Sequence, residues 1–357
     1  MNECLKKLIQ TLPNEFDAAI ISSDINRRYF TNMKSSAGTL IVTKSKAIFV
    51  IDFRYYEKAT AVTDGIEVVL QENKFYEQLD NILQENKVKN IAIESDEITL
   101  SNYNYYCEKL PNFNFINSDE LSKIILNLRM YKTNEEINFI KQAQEITDKS
   151  FSHILNFIKS GKTEKEVELE LEYTMKKFGA SGLAFDSIVV SGKNTSLPHG
   201  VASNKIIEQG DFVTMDFGAK FNGYCSDMTR TVAIGKINEE QQKVYDTVLN
   251  AQILAINSIE KDCICSEIDK IARDYIYSQG YENCFGHSLG HSVGLFIHEK
   301  PSFSSNCYEK YGNNIIMTVE PGVYLNGKFG VRIEDMVVIV NNKLENLTKS
   351  KKKLITL

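Results

Sequence analysis

The sequence predicts an α+β protein of two domains, a smaller α/β domain over residues 1–126 followed by a larger α+β domain over residues 127–357. Three observations carry this. The first third alternates short aliphatic runs with amphipathic stretches, the α/β pattern. Two consecutive capping boxes open helices shortly after Asn127, where the texture changes. Beyond Phe185 the chain becomes rich in strands and turns, and two hairpin signals there are each flanked by acidic residues. A length of 357 residues suits two domains at roughly 150 residues each.

The elements follow in order. Leu5, Leu8, Ile9 and Leu12 recur at helical spacing. Asp17–Ser22, Gly38–Thr43, Lys46–Asp52, Ile66–Leu70 and Asn90–Glu94 read as strands, and Phe75–Glu85 and Ser101–Leu110 as helices. Thr133 with Glu136 starts a long helix running towards Lys159, stopped by Gly161. Thr163 with Glu166 starts another, ended by Gly179. Residues 238–260 and 266–279 supply two more helices before strands resume near Ile315.

Composition excludes several classes. The longest apolar runs are five residues, Ala47–Ile51 and Met336–Val340, against the roughly 20 that a membrane-spanning helix needs. With 41 basic and 47 acidic residues, the net charge of −6 offers no general basic field for nucleic acid or an anionic membrane. Seven scattered cysteines have neither zinc-finger nor thioredoxin spacing and read as reduced, cytoplasmic usage.

The chemistry concentrates in three segments. In Asp211–Thr231, DFVTMDFGAKFNGYCSDMTRT, the Asn222-Gly223 turn is flanked almost symmetrically by Asp216 and Asp227. In Ile315–Asp335, IIMTVEPGVYLNGKFGVRIED, Asn326-Gly327 is flanked by Glu320 and Glu334. Between them, FGHSLGHSVGLFIHE holds His287, His291 and His298, with glycines 286, 290 and 294 allowing close backbone approach. Opposed, half-buried carboxylates repel and are costly to desolvate; cations between them remove both problems. Four carboxylates balance two divalent ions, and one neutral imidazole completes a ligand set suited to Mn²⁺, Co²⁺, Fe²⁺ or Zn²⁺.

These motifs resemble the metallopeptidases of the creatinase, or pita-bread, fold: Xaa-Pro aminopeptidases, prolidases and methionyl aminopeptidases. MDFGAKFNGYCSDMTRT supplies Asp216 and Asp227, GHSLGHSVG supplies His291, TVEPGVY supplies Glu320 and GVRIED supplies Glu334. SLPHG places His199, GHSLGH His287 and LFIHE His298 at the family's substrate-contacting histidines, and Arg332 matches the arginine beside the last glutamate. INRRYFTNMKSSAGTLIV, FVIDFRYYEKA and LRMYKTNEEINFIKQA resemble the creatinase-type N-terminal domain of the prolidase and aminopeptidase P subgroup. Phe296 stands where an acidic residue is common.

The resemblance implies two divalent metal ions, Mn²⁺ first, and hydrolysis of the bond before proline through a metal-bridging hydroxide. Glu320 would serve as general base, His199 or His298 would stabilise the oxyanion, and Arg332 would order Glu334. The implied substrates are peptides with proline second, and the implied assembly is a homodimer. The expectation places aminopeptidase action on Xaa-Pro-Yaa first, because no second Arg or Lys lies beside SLPHG or GLFIHE to clamp a free carboxylate. Dipeptidase action on Xaa-Pro is the alternative, and a non-catalytic peptide-binding relative is a third reading.

Overall fold

The computed structural model describes residues 3–357, and the chain divides into two compact units after Arg129. The first unit is built on one mixed sheet. Its elements are α1 (Glu3–Thr11), β1 (Ala18–Ile21), α2 (Asp24–Thr31), β2 (Thr39–Thr43), β3 (Ala47–Ile51), α3 (Phe53–Val62), β4 (Glu67–Leu70), α4 (Phe75–Glu85), β5 (Asn90–Ile93), α5 (Leu100–Lys109), β6 (Asn114–Ile116) and α6 (Glu120–Met130). The strand order is β4-β3-β2-β1-β5-β6. β1 and β5, β5 and β6, and β3 and β4 run parallel, while β1–β2 and β2–β3 are antiparallel. β1, β2 and β3 are buried along their whole length. That is why they read as continuous apolar runs rather than as alternations.

The second unit opens with α7 (Asn134–Ile154) and α8 (Glu164–Lys177), each started by its capping box. α7 ends at Ile154, short of Lys159, and turns carry the chain to Gly161. Short strands follow: β7 (Gly182–Leu183), β8 (Ile188–Ser191), a 3₁₀ turn at Gly192–Ser196, β9 (Phe212–Phe217), β10 (Ala219–Phe221), β11 (Tyr224–Cys225) and β12 (Met228–Ala233). Next come α9 (Glu239–Asn257), β13 (Cys263–Ile264), α10 (Cys265–Ser278), β14 (Gly290–Ser292), β15 (Glu299–Phe303) and β16 (Lys310–Tyr311). The chain closes with β17 (Ile316–Val319), β18 (Gly322–Leu325), β19 (Phe329–Arg332), β20 (Asp335–Val340) and β21 (Lys343–Asn346).

Two apolar cores organise this unit. In one, Ile146, Phe151 and Ile154 of α7 and Leu171 of α8 meet Val213, Met215 and Phe217 of β9 and Val232 of β12. In the other, Val244 and Val248 of α9 and Ile268 and Ala272 of α10 meet Met317, Val319, Val331 and Val337. Strand periodicity then decides what faces away from each core. On β9 the core takes Met215 and Phe217, which leaves Thr214 and Asp216 on the other face. On β17 it takes Met317 and Val319, which leaves Thr318. Among the described residues, no helix is long and apolar enough to cross a membrane, and none of the seven cysteines is joined in a disulfide.

Candidate metal centre

The first hairpin turns at Asn222 and Gly223, whose φ angles of 46° and 86° are those of a type I′ turn. Phe221 pairs with Tyr224, and the same register continues to Met228 opposite Phe217 and Thr229 opposite Asp216. Asp227 therefore stands diagonally from Asp216 rather than opposite it, in the break between β11 and β12. Near-symmetry about a turn does not fix which residues face each other; the turn length does.

In the second hairpin, β18 and β19 pair Gly322 with Arg332, and β17 and β20 pair Val319 with Asp335. Both ladders share one register, so Glu320 falls opposite Glu334. Both glutamates sit where the chain leaves one sheet for the other.

His291 lies on β14, brought against β17 by Gly290, where a Cβ would meet the Thr318 carbonyl oxygen at 2.0 Å. At Gly294 a Cβ would meet the Glu299 carboxylate, whereas Gly286 has open space around it. Thr318 Oγ1 accepts from the His291 backbone N–H (3.0 Å) and donates to Glu320 Oε1 (3.2 Å). His291 Nδ1 donates to the Ser292 carbonyl (3.1 Å), so Nε2 carries the lone pair. That Nε2 is 3.5 Å from Asp227 Oδ2 and 3.4 Å from Glu320 Oε1. Ligand atoms of Asp227, His291 and Glu334 all lie within 4.8 Å of one another.

These groups fit divalent cations. A neutral imidazole lone pair facing carboxylate oxygens is repulsive unless a cation lies between them. Asp216 Oδ1 and Glu334 Oε1 are buried with no protein donor, the arrangement expected of oxygens reserved for an ion. Burial and the neighbouring acids hold Asp227 and Glu334 well above the usual carboxylate range. Burial, opposed by Arg332, lifts Glu320 to about 8. Burial and the adjacent His298 pull His291 down to about 4.

Supporting groups cross between the hairpins. Thr229, from the first, donates to Glu334 Oε2 (2.8 Å). Arg332, from the second, donates through Nη2 to Asp216 Oδ2 (2.7 Å) and through Nε to Thr229 Oγ1 (3.0 Å). Arg332 therefore reaches Glu334 through the Thr229 hydroxyl and not directly. Its guanidinium reaches across to β9, and Thr229 is the group that meets Glu334. Arg332 Nη1 donates to the Pro198 carbonyl (3.2 Å) and to the Tyr324 hydroxyl (2.8 Å). Since His287 Nδ1 donates to the Ser288 carbonyl (2.9 Å), Tyr324 passes its own proton towards His287 Nε2 (3.0 Å).

A cavity of about 480 Å³ gathers all five predicted ligands with His199, His287, His298 and Arg332. Its apolar wall is Phe185, Ile188, Pro198 and Ile297. The His291 and His298 rings meet edge to face at 4.5 Å. His199 and His298 are exposed. Phe296, also exposed, stands 6.3 Å from the His298 ring and is not among the lining residues. The remaining histidine, His153, pairs with Glu170 (2.7 Å) and is not among them either.

Sequence reasoning assigned no role to Thr229, Tyr324 or the buried pair Lys132–Glu299 (3.1 Å), whose lysine also donates to Ser292 Oγ beside His291. The register identifies Thr229 once Asp216 is placed. Tyr324 shares a strand face with Gly322. No local pattern joins Lys132 to Glu299.

A creatinase-type N-terminal domain, a pita-bread catalytic domain and clustered acids with a histidine define a metal-dependent hydrolase. Residues 138–341 match metallopeptidase family M24, and residues 5–131 match the creatinase/prolidase N-terminal domain. The chain belongs to metallopeptidase family M24. It is 38% identical over 357 residues to an Xaa-Pro dipeptidase of Pyrococcus furiosus, covering 99% of this chain and 100% of the relative. A solved structure of an Xaa-Pro dipeptidase from Bacillus anthracis superposes with a TM-score of 0.95 at 40% identity over 99% of each chain. An X-Pro aminopeptidase structure from Thermotoga maritima gives 0.90 at 37% identity, covering 96% of this chain and 98% of that one.

Proposed function

We propose that this metallopeptidase is an Xaa-Pro dipeptidase, cleaving the bond before proline in free dipeptides. The observation that carries the reading is likeness along essentially the whole chain to Xaa-Pro dipeptidases, at 38% identity to the Pyrococcus furiosus enzyme and 40% to the Bacillus anthracis structure. Asp216, Asp227, His291, Glu320 and Glu334 would hold two divalent ions, Mn²⁺ being the first choice for four oxygen donors and one nitrogen. When bound, such ions supply Lewis acidity and a water acidified towards neutrality.

The chain's own groups do the rest. Glu320 takes the proton of the attacking water and returns it to the proline nitrogen as the bond breaks. His298 or His199 donates to the carbonyl oxygen as charge develops there. Partial desolvation by the cavity wall holds His298 below the ordinary histidine range, which supports a neutral N–H donor. Arg332 orients Asp216 through its hydrogen bond to Oδ2. Phe185, Ile188 and Ile297 offer the proline ring an apolar wall. At the far side of proline, the other of these two exposed imidazoles would meet the substrate carboxylate.

One observation favours the aminopeptidase reading instead. Arg332 is the one Lys or Arg among the described lining residues, and Thr229, Pro198, Tyr324 and Asp216 occupy its three nitrogens. After loading with Mn²⁺, kcat/KM for Xaa-Pro should exceed that for Xaa-Pro-Yaa and fall on C-terminal amidation. A preference for tripeptides that is indifferent to amidation overturns the dipeptidase reading in favour of the aminopeptidase.

A further inference from the structure

Glu164, the first residue of α8, is fully buried at 0% exposure. It is not the helix cap, because Thr163 and Glu166 cap α8 between them. Its carboxylate accepts five hydrogen bonds instead, all from one segment of chain. Oε1 takes the Ser191 N–H (2.6 Å), the Ser191 hydroxyl (2.9 Å) and Asn194 Nδ2 (3.0 Å). Oε2 takes the Ser203 N–H (3.1 Å) and the Ser203 hydroxyl (2.7 Å). Lys205 donates to Ser191 Oγ (3.0 Å) and to Asp211 (2.7 Å), which brings a positive charge close by.

Ser191 and Ser203 bound an irregular stretch. It carries Pro198, whose carbonyl accepts from Arg332, and His199, which lines the cavity. From Leu197 onward its recorded backbone bonds are local, Leu197 to Asn194 and Gly200 to Leu197. Beyond its two ends and Arg332, the stretch is tied by Thr195, whose hydroxyl accepts from the Gly330 N–H (2.8 Å). A buried carboxylate needs its donors, and charge-assisted bonds are stronger than neutral ones. One side chain thus closes both ends of the loop.

We infer that Glu164 is a positioning residue, whose carboxylate fastens residues 191–203 and so holds His199 at the cavity wall. This rests on the reading of His199 as a group that meets substrate. None of the five candidate ligands lies on the segment, so the device sets substrate contact rather than metal uptake.

The test is a double-mutant cycle with a structural readout. Glu164→Gln turns one accepting oxygen into an amide that faces donors, so one end of the loop loses its side-chain tie and keeps only its backbone bonds. Loss of such a bond to a charged group should lower kcat/KM about tenfold, while Mn²⁺ affinity stays within about twofold. The Glu164→Gln/His199→Ala double variant should be no worse than His199→Ala alone, because both changes act through one group. Amide exchange should rise across residues 192–202 and not in α7 or α9. Multiplying losses in the double variant, or exchange rising throughout the unit, would overturn the inference. If Glu164→Gln does not fold, Ser203→Ala removes one donor and meets the same criteria with a smaller loss. If the parent protein turns over no Xaa-Pro peptide, the dipeptidase and aminopeptidase readings fail by themselves. Exchange then still decides the fastening: a rise confined to residues 192–202 supports it and no change refutes it.

Discussion

The two acid-bearing hairpins differ in register, and the difference sets what each needs from the other. In the second, Glu320 and Glu334 face each other directly across the strand break. In the first, Asp216 lies inside the β9–β12 ladder opposite Thr229, and Asp227 lies diagonally in the break. The diagonal offset leaves a hydroxyl where a second carboxylate would have been. That hydroxyl, Thr229, donates to Glu334, while Arg332 of the second hairpin donates to Asp216. Each hairpin supplies the donor that the other's acid requires. The site is therefore a property of the pair, and neither hairpin alone could orient its carboxylates.

The largest effect should come from the diagonal acid. Asp227 is 4% exposed and within reach of His291. Asp227→Asn keeps the shape and removes the charge. Metal content should fall below that of the parent, and kcat should fall by more than the roughly 100-fold expected when only a supporting bond is lost. A variant that keeps the parent's metal content and turnover breaks the argument that the offset pair is a ligand pair.

The next effect tests the exchange of donors. Thr229→Val deletes the hydroxyl with little change of volume. Metal affinity or kcat should drop about 10- to 100-fold, the range for a group that orients a ligand. Titration of the metal-free variant with Mn²⁺ measures it. If affinity and kcat both match the parent, the two hairpins are independent.

Much of this was legible in advance. Asn222-Gly223 predicts its turn because both residues must adopt positive φ. Thr133 and Thr163 predict their helix starts because a capping box is local chemistry. The second hairpin's symmetry predicts that Glu320 faces Glu334, and it does, since both of its ladders share one register. Three kinds of feature were not legible. The offset of Asp227 depends on the loop holding two residues, which sets Phe221 opposite Tyr224, a count that near-symmetry about the turn passes over. Arg332's choice of Asp216 over its near neighbour Glu334 depends on how β19 meets β9. Glu164's grip on Ser191 and Ser203, and Lys132's on Glu299, join residues 27 to 167 positions apart. No periodicity encodes such pairs. β6 (Asn114–Ile116) and α3 (Phe53–Val62) were missed for a different reason: the strand is three residues long, and α3 exposes Phe53 and Val62 with one fully buried residue, Ala59.

A moderate effect concerns pH in the metal-free protein. Glu320 is raised from near 4.5 to about 8, and Asp227 and Glu334 are raised as well, by burial among like charges. A carboxyl with a raised folded pKa binds protons more tightly when folded. Its contribution is fully present below the unfolded value and is lost as pH rises towards the folded one. His287 and His291, pulled down to about 4, oppose this below about pH 6.5, so the metal-free Tm should fall between about pH 6.5 and 8, and the rise in Tm on adding Mn²⁺ should be larger at pH 8 than at pH 5. Thermal melts with and without Mn²⁺ measure this, and a metal-induced shift that is equal at the two pH values contradicts it.

The smallest effect separates the two turns. Gly223 and Gly327 both have positive φ, at 86° and 72°. An alanine at either is strained, by roughly 1 kcal/mol. The tips differ in what surrounds them. Beside Gly223, the Tyr224 hydroxyl donates to Glu136 of α7 (2.8 Å), and its ring stacks on Phe139 at 5.7 Å. Residues 326–328 are exposed, and their recorded tie is the surface pair Lys328–Glu240 (2.8 Å). Such a pair contributes about 0–1 kcal/mol, so the second tip can shift and relieve strain, while the first cannot without pulling Tyr224 from α7. Gly223→Ala should therefore lower Tm more than Gly327→Ala, and both should keep most of the parent's metal affinity, since the flanking ladders hold the acids in register. Equal losses of Tm would show that the anchoring of Tyr224 does not stiffen the turn. A larger loss at Gly327 would reverse the comparison and place the rigid tip on the second hairpin.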